Sequence, residues 1–177
     1  MKIEKRKELM DYSFECLNKH SYDCRVLVCG GTGCLASGSG KIYEKLKELT
    51  KDHTGVEVKI GEEIAHTKVM KSGCHGFCEM GPLVRIEPYN YLYIKVKLED
   101  CEEIYNETIL GGRPVERLLY KMDGVTYPSQ EEIPFYAKQT RLVLKNCGHI
   151  DAEHIGGALA VGAYAGIEKA LFEMTPE

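Results

Sequence analysis

The spacing of apolar and polar positions changes several times along the chain, and each change marks an element. Over residues 4–19, Met10, Ser13, Phe14 and Leu17 fall on one face at i, i+3, i+4 and i+7, which predicts a helix whose charged side is a solvated face. Arg25-Val-Leu-Val-Cys29 is a short apolar run and predicts a buried strand. A glycine-rich loop follows, and then Ile42, Leu46 and Leu49 keep helical spacing from Ser39, the expected cap, to about Leu49. Val56–Ile60 alternates like a second strand and Thr67–Lys71 like a third. Leu83–Glu87 and Tyr91–Val96 flank Pro88-Tyr89-Asn90 and predict a hairpin. Asp100 is the expected cap of a helix over 101–109. The order β-α-β-β-β-β-α predicts an α/β (α+β) domain on a small sheet, ending near Gly111-Gly112.

Beyond that point the pattern weakens. Pro114, Gly124, Pro128 and Pro134 punctuate residues 113–135, which read as a connector with a short helix at 114–121. Arg141–Lys145 is a strand candidate, Asp151 the expected cap of a further helix, and Ala163–Phe172 a last helix with Ile167 and Leu171 four residues apart. No internal repeat or low-complexity segment interrupts this order.

Composition narrows the function classes. At 177 residues, 44% hydrophobic and 28% charged, the chain has the make-up of a soluble globular protein. A formal charge of -4 offers no basic footprint for nucleic acid. The least polar stretch, Gly156–Ile167, is too short to span a bilayer. Residues 1–8 mix both charge signs around no apolar core and do not read as a signal peptide. Eight cysteines without a secretory signal predict metal or redox use in a reducing compartment, with the cytoplasm as the expected location.

Four of those cysteines form two short pairs. Cys29-x4-Cys34 lies in Val28-Cys-Gly-Gly-Thr-Gly-Cys34, and Cys74-x3-Cys78 in Gly73-Cys-His-Gly-Phe-Cys-Glu-Met-Gly-Pro82. Each pair follows a predicted strand. Loops at the ends of neighbouring strands bring such thiolates to one point, where they bind zinc or an iron–sulfur cluster. Both spacings tolerate zinc. A [2Fe-2S] cluster on four thiolates carries net negative charge and needs backbone N–H donors, which Gly30, Gly31, Gly33, Gly73 and Gly76 suit, and this favours the cluster. The plant-type ferredoxin spacing and the C-x-x-C dithiol are both absent.

The remaining cysteines read differently. Cys24 stands at the far end of the first strand, roughly 16 Å away at strand rise. Cys16 and Cys101 fall in predicted helices and Cys147 beside Gly148, all three expected as small buried hydrophobes. His75 lies inside the second loop and is expected to be a bystander. Gly38-Ser-Gly-Lys41 lacks the first glycine and the hydroxyl residue of a phosphate loop, and no catalytic Ser/His/Asp or Cys/His arrangement stands out.

The two cysteine motifs, Val28–Ser37 and Gly73–Pro82, resemble the thioredoxin-like [2Fe-2S] ferredoxin domain of NADH:quinone oxidoreductase and NAD-linked hydrogenases. Ile133–Gln139, Arg141–Gly148 with Ile150-Asp151, Gly162-Ala-Tyr164 and Glu168–Leu171 resemble the opening of the flavin-binding, NADH-oxidising subunit of the same enzymes. Both on one chain resemble the fused β subunit of electron-bifurcating and NADP-reducing [FeFe]-hydrogenases. The resemblance implies an N-terminal helix (1–23), a thioredoxin-like [2Fe-2S] domain (24–112), a connector (113–135) and a truncated N-terminal piece of an FMN/NADH-binding domain (136–177). It implies Cys29, Cys34, Cys74 and Cys78 as cluster ligands, other subunits of a multi-subunit oxidoreductase as partners, and one-electron transfer with no catalytic acid or base. FMN and NAD(P) are expected only in the complete parent subunit, because the glycine-rich FMN loop and NADH site of the family do not follow here; a fragment or short gene product is expected. The alternative is a zinc-stapled module that docks a partner without redox function. Leu142, Leu144, Ile155, Leu159 and Ile167 are expected to lack a complete core, with disorder or self-association over residues 136–177.

Overall fold

The structure is a computed structural model that describes residues 5–19, 24–51 and 67–175, the side chains of 17–19 excepted. Strand β1 (Cys24–Cys29), with five of its six residues buried, takes an inner place in a four-stranded sheet. The order is β2-β1-β3-β4, with β2 at Thr67–Ser72, β3 at Val84–Glu87 and β4 at Tyr91–Tyr93. β1 runs parallel to β2 and antiparallel to β3, and β3 and β4 form the expected hairpin. The strand expected at 56–60 lies outside the described residues.

The two-residue period of the strands divides the interior into two cores. On one face Val26, Val28, Val84, Ile86 and Tyr93 meet Ile42 and Leu46 of α3 (Ser39–Leu49). The same core takes in Cys101 of α4 (Cys101–Glu103) and Ile104 and Ile109 of the π-helix that continues it over Ile104–Leu110. On the other face Cys29, Leu83 and Leu92 pack with Cys34, Phe77, Ile133 and Tyr136. That second core is closed by residues far along the chain.

Several expectations are corrected. Ser39 is the first residue of α3, buried with an unpartnered hydroxyl; the cap position belongs to Gly38, whose φ of 94° suits a residue without a Cβ. Asp100 does not cap the following helix: its carboxylate accepts from the Lys97 amide at 2.7 Å and from Arg117 at 2.7 Å, closing the preceding turn. Residues 114–121 hold a 3-10 turn, Glu116–Leu118, that leads into an antiparallel pair, β5 (Tyr120–Met122) and β6 (Val125–Tyr127). Val115, Leu118 and Leu119 enter the first core, and the Val115 amide donates to the buried Tyr93 hydroxyl at 3.0 Å.

Residues 141–145 form turns rather than a strand. Leu142 and Val143 are 78% and 94% exposed, since a short apolar run without a neighbouring edge has no ladder to join. Asp151 bridges Ser72 instead of capping; α6 (Ile155–Ala160) begins after His154, whose Nδ1 accepts from the Gly156 amide at 3.0 Å. The short α5 (Pro134–Ala137) precedes it and α7 (Ala165–Glu173) ends the described chain. Helix α1 (Arg6–Lys19) packs on α6, and Arg6 pairs with Glu168 at 2.5 Å and Glu173 at 2.6 Å on α7. Leu159 is buried, whereas Leu144, Ile155, Ile167 and Leu171 are exposed. Among the described residues no helix is long and apolar enough to cross a membrane.

Candidate metal centre

The cysteine loops meet because β1 and β2 are parallel neighbours that leave the sheet at the same end. Cys29 ends β1 opposite Ser72, the last residue of β2. Cys34 lies in α2 (Thr32–Ala36), Cys74 just beyond β2, and Cys78 at the head of a 3-10 turn to Met80. The Gly30 amide donates to the Ser72 carbonyl at 2.9 Å and ties the two loops together. A Cβ on Gly31 would stand 3.0 Å from the Cβ and Sγ of Cys74, and one on Gly81 would stand 2.6 Å from the Sγ of Cys34. Backbone can approach the sulfurs this closely only where no side chain intervenes.

All four predicted thiols are brought into one neighbourhood. Cys74 and Cys78 have their sulfurs 3.7 Å apart. The Cys34 thiol donates to Cys29 and lowers Cys29 to about 6 against the cost of burial; the His75 and Gly31 amides and the Cys74 thiol also donate. Cys34 is correspondingly raised, by its hydrogen bond to Cys29 and by burial, while the Leu83 amide opposes. Burial raises Cys74, opposed by the Gly76 amide at 3.4 Å. The sulfurs form a run of neighbours, Cys34, Cys29, Cys74 and Cys78, and among the described residues no three His, Cys, Asp or Glu side chains close around a single ion. Exposure rises along the run, with Cys29 and Cys34 buried, Cys74 half-buried and Cys78 exposed.

The donor set fits an iron–sulfur group. It is all thiol, and the amides of Gly31, His75, Gly76 and Leu83 face the sulfurs, as a group of net negative charge requires. The other cysteines stand apart in role. Cys101 lies in the first core and Cys16 is buried on α1, as expected of small hydrophobes, and Cys24 joins the first core. Cys147 is only half-buried and rests against Gly73, where a Cβ would come within 3.2 Å of its sulfur.

With this geometry in view, comparison with known proteins is specific. Residues 12–108 match the family of thioredoxin-like [2Fe-2S] ferredoxins. The chain belongs to that family. It is 32% identical over 87 residues to a 2Fe-2S ferredoxin of Aquifex aeolicus, covering 49% of this chain and 71% of the relative. A 2Fe-2S ferredoxin of Clostridium pasteurianum is 30% identical over 95 residues, covering 52% of this chain and 91% of the relative. Among solved structures it is similar to the wild-type thioredoxin-like [2Fe-2S] ferredoxin from Aquifex aeolicus, at 30% identity over 56% of this chain and 97% of that one, with a TM-score of 0.43. A second structure of a thioredoxin-like [2Fe-2S] ferredoxin from that organism is 31% identical, over 58% and 96%, with a TM-score of 0.44. Membership decides between the two metals that the spacing admits. The group is a [2Fe-2S] cluster and the function is ferredoxin-like one-electron transfer.

Three residues of this ferredoxin's site escaped sequence reasoning. His75, expected as a bystander, is fully buried and joins two segments: Ser72 Oγ lies 2.7 Å from its Nε2 and Gln130 Oε1 3.3 Å from its Nδ1. With the amide oxygen of Gln130 accepting from Nδ1–H, Nε2 accepts from the Ser72 hydroxyl. Burial lowers His75 to about 4 and keeps the ring neutral. Gln130 is itself buried, and Tyr136 sits beside the thiols. His75 stands in the second motif but nothing local gives it this role, and Gln130 and Tyr136 follow that motif by dozens of positions, so nothing local ties them to it.

Proposed function

We propose that Cys29, Cys34, Cys74 and Cys78 ligate the cluster, and that this ferredoxin serves as the cluster-bearing domain of a flavoprotein subunit in an NAD(P)-linked oxidoreductase of the electron-bifurcating hydrogenase type. The observation that carries the reading is the packing of the connector and the flavoprotein-like segment onto the end of β2 and the second cysteine loop. Gln130 meets His75, Phe135 stacks on Phe77 with centroids 4.4 Å apart, and the Ala152 amide donates to the Lys71 carbonyl at 2.8 Å. A free electron shuttle has no use for such an extension.

When bound, the cluster supplies one-electron transfer. The chain's own part is to hold four thiolates, to aim amides at them, to exclude water from the Cys29–Cys34 side and to leave the Cys78 side open. Electrons enter and leave on that open side, where separation through protein is least. The exposed Leu142, Val143, Leu144, Ile167, Leu171 and Phe172 suit burial against the remainder of the parent subunit or its partner subunits, and FMN and NAD(P) belong to that remainder.

Anaerobic iron and acid-labile sulfide analysis, with EPR after dithionite, tests the ligand set. Alanine at any of the four positions is expected to abolish the native rhombic signal, while alanine at Cys16, Cys24, Cys101 or Cys147 retains it. A Cys24 variant without iron beside a Cys29 variant with it would overturn the assignment. The parent role is tested by NADH: reduction of the cluster is expected only when the FMN-carrying remainder of such a subunit is supplied. Failure with that component present would refute the role.

A further inference from the structure

Tyr136 lies on α5, outside the stretch that matches the ferredoxin family, yet it is 93% buried by a relative exposure of 7%. Its ring meets Phe77 edge-on at 5.6 Å and 83°, and Phe135 at 5.3 Å and 78°, so the stacked pair fixes the ring's orientation from one side. Its hydroxyl has no hydrogen-bond partner among the described residues. A buried hydroxyl without a partner is costly, and native proteins rarely leave one orphaned. Burial raises this phenol; among the charges that reach it Arg141 comes first and opposes, and those of Cys29, Cys74 and Cys78 follow. A phenol is a donor that needs an acceptor, and Tyr136 shares its core with the Cys29 and Cys34 sulfurs.

We propose that Tyr136 donates its phenolic O–H to a sulfur of the bound cluster, on the side of Cys29, and thereby sets the cluster's reduction potential from outside the ferredoxin fold. The inference rests on the ligand assignment above. The hydroxyl moves no proton and no electron. Reduction adds one negative charge to the cluster and makes its sulfurs better acceptors, so the O–H stabilises the reduced state more than the oxidised one and raises the potential. Tyr136 is a tuning residue, held by Ile133, whose carbonyl accepts from its amide at 2.8 Å, and by the Phe77–Phe135 stack beside it.

The test is a potentiometric EPR titration of the loaded full chain with Tyr136→Phe. The ratio of reduced to oxidised cluster at fixed potential is expected to fall about tenfold, equivalent to about 59 mV for a one-electron couple. Tyr120→Phe is the control: Tyr120 also packs on Phe77, at 5.6 Å, but its hydroxyl faces Met122 Sδ, and no shift is expected. Replacing Tyr136 by a ring-fluorinated tyrosine, a stronger donor of nearly the same shape, should move the potential upward. Opposite shifts from the two variants support the hydrogen bond. Unchanged potential in Tyr136→Phe, or shifts of the same sign, would overturn it. If Tyr136→Phe fails to hold a cluster, the fluorinated chain carries the decision alone: an upward shift supports the proposal and no shift overturns it. Failure of the ligand assignment shows separately, as iron retained after loss of Cys29, Cys34, Cys74 or Cys78.

Discussion

Replacing Ile133 by alanine probes whether the segment after residue 112 belongs to the same cooperative unit as the ferredoxin sheet. Ile133 is fully buried among Cys29, Cys34, Phe77, Leu83, Leu92 and Tyr136. The change removes three carbons, worth about 2.4 kcal/mol of transfer free energy at about 0.8 kcal/mol each. The cavity left beside the cysteine loops adds to this, and large-to-small changes of this kind span about 2–5 kcal/mol. The expected loss is about 3–4 kcal/mol, with Ile133→Val near 1 kcal/mol. Val143→Ala, at 94% exposure a few turns away, should stay within about 0.5 kcal/mol of the parent. Guanidinium unfolding followed by far-UV circular dichroism under anaerobic conditions measures the midpoints, and bleaching of the visible absorbance reports the cluster. An Ile133→Ala midpoint equal to that of Val143→Ala would refute the argument: the segment would then be an appendage that melts without the sheet.

Other outcomes follow from the same geometry. Gly81→Ala places a Cβ within 2.6 Å of Cys34 Sγ and is expected to displace the loop and lower iron content, whereas Gly38→Asn, with nothing within 4 Å of its Cβ, strains only the backbone at a φ of 94° and should keep its iron. Burial raises the Cys101 thiol from 9.0 to about 11, far from the metal site. The unfolded chain therefore releases this proton first, and stability present below about pH 9 declines toward pH 11, by at most about 3 kcal/mol. Cys101→Ala should flatten that alkaline limb in denaturation series run above and below pH 9. Removing the cluster by anaerobic chelation and acid should lower stability through loss of a native-state ligand, and restored iron and sulfide should return the midpoint; an unchanged midpoint would refute the coupling.

Much of the site was legible in the residues. Two cysteine pairs after two strands, each in a glycine-rich loop, specify thiolate donors and close backbone whatever the rest of the chain does, because ligand spacing and Cβ clearance are local properties. The same holds for β1, α3 and the β3–β4 hairpin, whose periods of burial are written over a few residues. The parallel pairing of β1 with β2 was not written locally, and it is what turns two loops into one site. Tertiary structure alone decided how the second face of the sheet is closed. Gln130 carries no motif, the stretch holding Ile133 and Tyr136 gives no sign that it covers the cysteine loops, and residues 114–121 and 141–145 have local patterns that misled, as helix and strand, because their partners lie far away in sequence. Long-range packing and the search of buried donors for acceptors leave no period to read, so the cover over the cluster became visible only once the chain was folded.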